Sequence, residues 1–331
     1  MKVKALYGFS PELAPFAGKR PAEQMATLRS WGVNAIFGGY ENPVFVEAAH
    51  AGEIAVYAEF SCFAGAEWWE RVPASRPITD RGQPLEEEDW YYGVNPTVPQ
   101  VRHERLAALK NLLMAHAIDG VWLDFIRWPC HWEAKNPYLS HTSFDPETLA
   151  RFSRDTGIYL PPSRVSEVAQ ILLGQYEEEW ISWRCEQITS WVTEARRVLK
   201  RVRPDALVGL FGVPWRLADH EGAILKVIGQ DYRALGQHVD VFSPMVYHRM
   251  CGRRPAWIGE VTEEIHELSA KPVWPIVQSV NKPSTLPAEE YGQALDMALH
   301  HQASGGVLVF TMEGALDEDK LAITKTKFGG C

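Results

Sequence analysis

The feature that most constrains the fold is a regular alternation of strand-like and helix-like segments along the whole chain. Eight apolar runs are rich in β-branched and aromatic residues, and between them apolar positions recur at helical spacings of three and four. The strand-like runs are residues 4–9, 33–40, 53–62 and 119–129, followed by ALVGLFGVPW, VDVFSPMVYH, KPVWPIVQSV and GGVLVFTME. Near-continuous apolar strands that alternate with helices are typical of a parallel sheet covered on both faces.

Eight such units predict a (β/α)8 TIM barrel, formed as one α/β domain over residues 1–331. The alternative is an open, doubly wound sheet. That fold is disfavoured because no Gly-rich GxGxxG turn follows the first strand and no second domain is apparent.

Composition and charge narrow the classes of function. The chain has 33 Lys and Arg residues against 42 Asp and Glu residues, a net charge of −9 without long single-sign runs, which argues against a nucleic-acid partner. The sequence shows neither the pattern of a secretory signal nor an apolar stretch of about 18 residues, so we expect neither a leader nor a membrane span. Five cysteines without a CxxC pair predict reduced thiols: Cys62, Cys130, Cys185, Cys251 and Cys331. We therefore expect a cytoplasmic protein.

Two connections that follow strands are long, residues 64–100 after the third strand and about 130–173 after the fourth. Active sites of (β/α)8 barrels lie at the carboxyl ends of the strands, so both connections are expected to shape the site. Within the second, Asp145 as N-cap, Pro146 at the first position and Gly157 after the last turn predict a short helix. Aromatic residues are concentrated in these connections, where they could stack on sugar rings or pack a small core under the loops: Trp68, Trp69, Trp90, Tyr91, Tyr92, Trp128 and Trp132.

Few ionisable groups fall at the predicted strand ends, and Asp124 is the strongest candidate for a catalytic residue among them. It closes the fourth strand in the run VWLDFIRW and should emerge at the barrel mouth. Glycoside hydrolysis requires two carboxyl groups, and either Glu59 or Glu313 could be the partner of Asp124. Glu313 would approach from the opposite side of the barrel, whereas Glu59 would lie beside Asp124, where like charges keep one carboxyl protonated. Both pairings are open at this point.

Other residues at the strand ends are candidates for binding substrate rather than for catalysis. These predicted contacts are Tyr7, Arg127, Trp128, Trp215, Tyr247, His248 and Gln278. No cofactor is predicted. A zinc site is disfavoured because no pair of His or Cys residues has the spacing of a zinc motif.

Several motifs resemble those of a known group of enzymes. The runs DGVWLDFIRWP, FDPETLARF, WISWRCEQITSWV, VDVFSPMVYH and GGVLVFTME resemble the TIM-barrel glycoside hydrolases of the hypothetical glycosyl hydrolase group. In that group a Gly-(apolar)3-Asp strand is followed by Arg-aromatic-Pro, and a Ser-Pro-Met-x-Tyr strand comes later. The resemblance extends over residues 3–313 and implies carbohydrate chemistry centred on Asp124.

A fainter similarity points to family 18 glycoside hydrolases, whose fourth strand carries DGxDxDxE and whose sixth carries Met-x-Tyr-Asp. Asp119, Gly120, Asp124, Met245 and Tyr247 match in place. Other positions depart from this pattern, so a chitinase mechanism is not implied: Trp122 and Ile126 replace acidic residues of the fourth strand, and His248 replaces the Asp of the sixth.

These observations predict a glycosidase that acts on an oligosaccharide or polysaccharide through Asp124 and a glutamate. The alternative is a carbohydrate-binding barrel without turnover, in which Trp128 and Trp215 would matter more than Asp124.

Overall fold

The computed structural model describes residues 2–329, in which eight parallel strands close into a barrel in chain order. Each strand pairs with its neighbours in sequence, and the first pairs with the eighth. The predicted (β/α)8 barrel is therefore confirmed. The strands are β1 Val3–Tyr7, β2 Ala35–Phe37, β3 Ala55–Ser61, β4 Gly120–Asp124, β5 Leu207–Gly212, β6 Val241–Val246, β7 Ile276–Gln278 and β8 Gly306–Phe310.

Helices cover the outside of the barrel and also structure the long connections after β3 and β4. They are α1 Pro21–Ser30, α2 Pro43–Ala51, α3 Ala66–Arg71, α4 Pro99–Ala115, α5 Pro146–Thr156, α6 Val165–Gly174, α7 Glu177–Val202, α8 Ala223–Lys226, α9 Tyr232–Leu235, α10 Ala256–Ser269, α11 Ala288–His300, α12 Met312–Ala315 and α13 Glu318–Gly329, with 3-10 turns at Pro73–Ser75 and Asp219–Gly222. In the described part of the chain, no helix combines the length and apolar character needed to cross a bilayer.

Aromatic side chains fill the barrel interior below the mouth. The indole of Trp122, in the middle of β4, stacks on Trp274 at 5.4 Å and lies 4.6 Å from the ring of Tyr57. Its Nε1 donates a hydrogen bond of 2.9 Å to Ser243 Oγ. Gly209 of β5 faces this ring, and a Cβ atom at that position would overlap the indole. The interior is thus a packed core that supports the mouth from below.

The predicted short helix in the second long connection is α5, and its predicted ends are confirmed. The Asp145 side chain accepts a hydrogen bond of 2.9 Å from the Thr148 amide, and Gly157 ends the helix in the left-handed conformation with φ 75°. Asn95, buried in the first long connection, donates 2.9 Å hydrogen bonds to Asp145 Oδ2 and Thr148 Oγ1. The two long connections therefore form one joined structure above the strands.

The four cysteines in the described residues are buried and form no disulfide: Cys62, Cys130, Cys185 and Cys251. The fifth predicted thiol, Cys331, lies outside the described residues.

Candidate active site

A cleft of about 220 Å³ opens at the carboxyl end of the barrel. Strand ends provide its floor, and the loop after β4 together with Trp90 provides its wall. Three carboxyl groups, one guanidinium and several aromatic rings line the cleft. The lining residues are Tyr7, Glu59, Trp90, Asp124, Phe125, Arg127, Trp132, Glu133, Met245, Tyr247 and Phe310.

A second, larger cavity of about 920 Å³ lies at the opposite end of the barrel, where Lys4, Val33 and Asn34 mark the starts of strands. It borders the end of α13 at Phe328 and Gly329. The amino end of a (β/α)8 barrel supports stability rather than chemistry, so we place the candidate site at the smaller cleft.

Asp124 and Glu59 lie side by side at the floor of the cleft because β3 and β4 are neighbours in register. Glu59 pairs with Trp122 across the two strands, and Ser61 pairs with Asp124. Side chains of residues two apart on a strand point to the same face. Because Trp122 lies in the barrel interior, the side chain of Asp124 points inward as well. The two carboxyl groups form a hydrogen bond, and Tyr7 of β1 donates a hydrogen bond to Glu59 Oε2 from the other side.

The pKa of Asp124 is raised to about 8, mainly by burial. The charge of Glu59 also raises this pKa, and its effect is larger than the opposing effect of Arg127. Burial also raises the pKa of Glu59, but the hydrogen bonds from Tyr7 and Asp124 favour its ionised form. At neutral pH the pair therefore retains a proton on Asp124, directed toward Glu59.

Backbone geometry holds the Asp124 side chain in place. Phe125, the next residue, has φ 49°, a conformation that residues with a side chain rarely adopt, and its amide donates a 2.6 Å hydrogen bond to Asp124 Oδ1. Such strain is found where the surrounding structure over-determines a backbone position, often at functional sites.

Arg127 lies beneath the wall of the cleft and is almost completely buried. Its guanidinium lies over the rings of Phe125 and Tyr91, at 5.0 and 5.3 Å, and its Nη1 is 4.0 Å from Asp124 Oδ1. The buried Nε and Nη1 atoms have no hydrogen-bond partner among residues 2–329. The charge of Arg127 is thus stabilised by aromatic faces and by the nearby carboxyl pair.

Of the predicted residues, Tyr7, Glu59, Asp124, Arg127 and Tyr247 come together in the cleft. Glu313 does not. The sequence pattern placed it at the end of the eighth strand, but β8 ends at Phe310, and Thr311 begins α12 by accepting a 3.1 Å hydrogen bond from the Gly314 amide. This turn leaves Glu313 exposed to solvent outside the cleft lining, so the glutamate beside Asp124 is Glu59.

Trp128 and Trp215, two predicted substrate contacts, are buried against protein rather than exposed to the cleft. The Trp128 ring lies 4.1 Å below the guanidinium of Arg184 on α7, and its Nε1 donates to the Arg184 carbonyl. The Trp215 ring packs on His220 at 4.7 Å. Both rings therefore pack against protein, and for Trp128 this is the packing alternative that was open for the loop aromatics.

His248 and Gln278 are also buried and bonded within the protein. His248 Nε2 is 3.0 Å from Glu290 Oε1. The Gln278 amide donates to the carbonyl oxygens of Val280 and Lys282, and its oxygen accepts from the Met250 amide. These bonds order the loops after β6 and β7, and neither side chain is part of the cleft lining.

The sequence analysis missed Glu133 and Phe310, which also line the cleft, whereas Trp132 was among the loop aromatics that it singled out. Glu133 and Trp132 follow β4 by eight or nine residues, in an irregular segment where no periodic pattern indicates direction. Phe310 was one apolar residue among many in β8. Among residues 2–329, no group of three or more His, Cys, Asp and Glu side chains is arranged to hold a metal ion.

A (β/α)8 barrel with adjacent carboxyl groups in an aromatic cleft is an architecture typical of glycoside hydrolases. A family model described as “putative glycosyl hydrolase domain” matches residues 24–281. The chain belongs to this family of glycosyl hydrolase domains. A comparison with curated proteins found no match.

Several solved structures similar to this fold are glycoside hydrolases at low sequence identity. The beta-galactosidase from the psychrophilic Marinomonas ef1 is 11% identical with a TM-score of 0.69, over 99% of this chain and 59% of that one. The PgaB (BpsB) glycoside hydrolase domain from Bordetella bronchiseptica is 13% identical with a TM-score of 0.71, over 98% and 97%. A GH42 beta-galactosidase from G. stearothermophilus gives 11% and 0.67, over 99% and 56%. The chain thus spans just over half the length of these beta-galactosidases.

Proposed function

We propose that this protein is a glycosidase that cleaves an oligosaccharide or polysaccharide, with Asp124 as the general acid and Glu59 as its partner carboxylate. The observation that carries the proposal is the Asp124–Glu59 pair, in which one carboxyl stays protonated at neutral pH beside an aromatic cleft. Membership of the glycosyl hydrolase domain family supports the same reaction class.

The two carboxyl groups have different roles in this reaction. Asp124 holds the proton and delivers it to the glycosidic oxygen as the bond to the anomeric carbon breaks. Glu59, fixed by Tyr7, resists a second negative charge beside it and so keeps Asp124 protonated until substrate arrives. The exposed ring of Trp90 offers an apolar face on which a sugar ring can stack.

The proposal is tested by hydrolysis of a panel of oligosaccharides and aryl glycosides by wild type and Asp124→Asn. We expect the substitution to reduce kcat by about 10²–10⁴-fold with little change in sugar binding, because Asn keeps the shape of Asp but has no proton to transfer. The wild-type rate should fall as the pH rises through about 8, where Asp124 ionises. Asp205→Asn, an exposed site of the same chemistry, is the matched control.

Hydrolysis that survives in folded Asp124→Asn would remove Asp124 from the reaction. Saturable binding of sugars without any cleavage by the wild type would instead favour the carbohydrate-binding barrel.

A further inference from the structure

A third carboxyl group, Glu133, faces the cleft and takes no part in the Asp124–Glu59 pair. It lies nine residues after Asp124, and its side chain is 16% exposed. A carboxyl group so well covered at the mouth of a substrate cleft requires an explanation, because exposed loop carboxylates normally project into solvent.

The structure holds Glu133 in a defined position. The preceding residue, Trp132, is fully buried and stacks on Tyr247 at 5.8 Å, and Tyr247 in turn stacks on Phe310 at 4.8 Å. His131 Nε2 lies 3.6 Å from Glu133 Oε2, while its Nδ1 lies 3.4 Å from Glu88 Oε2. The loop that carries Glu133 is therefore fixed by stacked rings on one side and by a bridging imidazole on the other.

His131 is placed where its imidazole can stabilise a negative charge on Glu133. The nearby Glu133 carboxylate raises the pKa of His131 more than the partial burial of the imidazole lowers it. The imidazole can thus donate to the Glu133 carboxylate and hold its orientation, as a residue that positions a catalytic group does.

Glu133 differs from Glu59 in its relation to Asp124. Glu59 forms a hydrogen bond with Asp124, so these two groups act from one place and share one proton. Glu133 is not part of this pair, and the residue before it, Trp132, stacks on Tyr247, which follows β6. The loop therefore brings Glu133 to the cleft from the side of β6, whereas Glu59 lies on β3.

Hydrolysis of a glycoside requires a carboxyl group on each side of the scissile bond, and a hydrogen-bonded pair provides only one side. We propose that Glu133 is the second catalytic carboxylate, the general base that activates the attacking water. The inference rests on the glycosidase function proposed above and adds the residue that completes it.

Asp124 gives its proton to the leaving glycosidic oxygen, and the bond from that oxygen to the anomeric carbon breaks with its electron pair staying on oxygen. A water molecule forms the new bond to the anomeric carbon, and Glu133 accepts the proton that this water loses. The product should have the inverted anomeric configuration because water attacks from the face opposite to the leaving group.

The test compares Glu133→Gln and Glu133→Ala with Asp124→Asn on aryl glycosides and on the α- and β-fluorides of glucose and galactose. Fluoride leaves without a proton, so we expect Asp124→Asn to retain most of its activity on a fluoride that the wild type hydrolyses. Loss of the base affects every leaving group, so Glu133→Gln should be about 10²–10⁴-fold slower on both kinds of substrate. Azide should restore turnover of Glu133→Ala by replacing water, with a glycosyl azide as product.

Glu86→Gln, an exposed acid in the first long connection, is the control for charge removal, and circular dichroism checks that each variant is folded. Glu133→Gln within about threefold of wild type, or a product of retained configuration by NMR, would overturn the proposed role of Glu133 while leaving Asp124 as the acid. If the wild type hydrolyses no substrate, the glycosidase proposal itself fails, and full activity of Asp124→Asn on oligosaccharides would remove Asp124 as the acid.

Discussion

At the scale of single residues, the cleft carries an electrostatic arrangement that costs stability. Asp124 has a pKa of about 8 in the folded protein, against an ordinary value of 3.8. Between these two values the unfolded chain loses a proton that the folded protein keeps, so the contribution of Asp124 to folding free energy becomes less favourable as the pH rises. Catalytic sites commonly hold such unfavourable groups because function requires them.

Replacement of Asp124 by Asn should therefore stabilise the protein near neutral pH. We expect the free energy of unfolding of Asp124→Asn to exceed that of wild type by about 1–3 kcal/mol at pH 7.5, with the difference vanishing toward pH 4. Urea denaturation at several pH values measures it. A difference independent of pH would mean that Asp124 titrates normally in the folded protein.

At the scale of elements, helix α5 shows how local sequence sets the ends of a helix. Asp145 and Gly157 could be recognised from sequence because capping acts through bonds and dihedral angles within a few residues. Gly157 adopts φ 75° with open space around the position of a Cβ atom, and Gly174, the last residue of α6, has the same open space without a positive φ.

This pair of glycines separates backbone conformation from packing. Gly157→Ala should lower the free energy of unfolding by about 1 kcal/mol, since Ala is strained in the left-handed region. Gly174→Ala should have no such cost, because Ala favours the helix at least as well as Gly. Chemical denaturation of both variants checks the difference, and equal effects would show that the strain at Gly157 is relieved by a shift of the helix end.

At the scale of the whole molecule, the barrel depends on the fit of side chains from different strands. Trp122 occupies the space that Gly209 leaves on the neighbouring strand, and the indole hydrogen bond to Ser243 reaches a third strand. These contacts set the platform beneath Asp124 and Glu59, so a change in the interior should reach the site.

Gly209→Ala should destabilise the barrel by about 1–3 kcal/mol or more, because the added methyl group meets an indole that cannot move freely. The double variant Gly209→Ala, Trp122→Phe should be less destabilised than the two single effects sum to, since the smaller ring makes room for the methyl group. Thermal and urea denaturation of the three variants measure this coupling. Simple additivity would indicate that the two sites do not share the space.

Much of the fold and part of the site could be determined from the sequence alone. The alternation of eight strands and helices, the ends of α5 and the emergence of Asp124 at the mouth all follow from patterns within single elements. Hydrophobic periodicity and capping are local properties, so they can be read without knowledge of distant parts of the chain.

Tertiary structure alone decided which groups meet across elements. It placed Glu59 beside Asp124 and left Glu313 in solvent, because one capped turn after Phe310 redirects the chain. It buried Trp128 against α7 and brought Glu133 into the cleft through an irregular loop. These outcomes depend on strand register, on loop paths and on which surfaces each side chain can cover, and such relations arise only when the barrel closes.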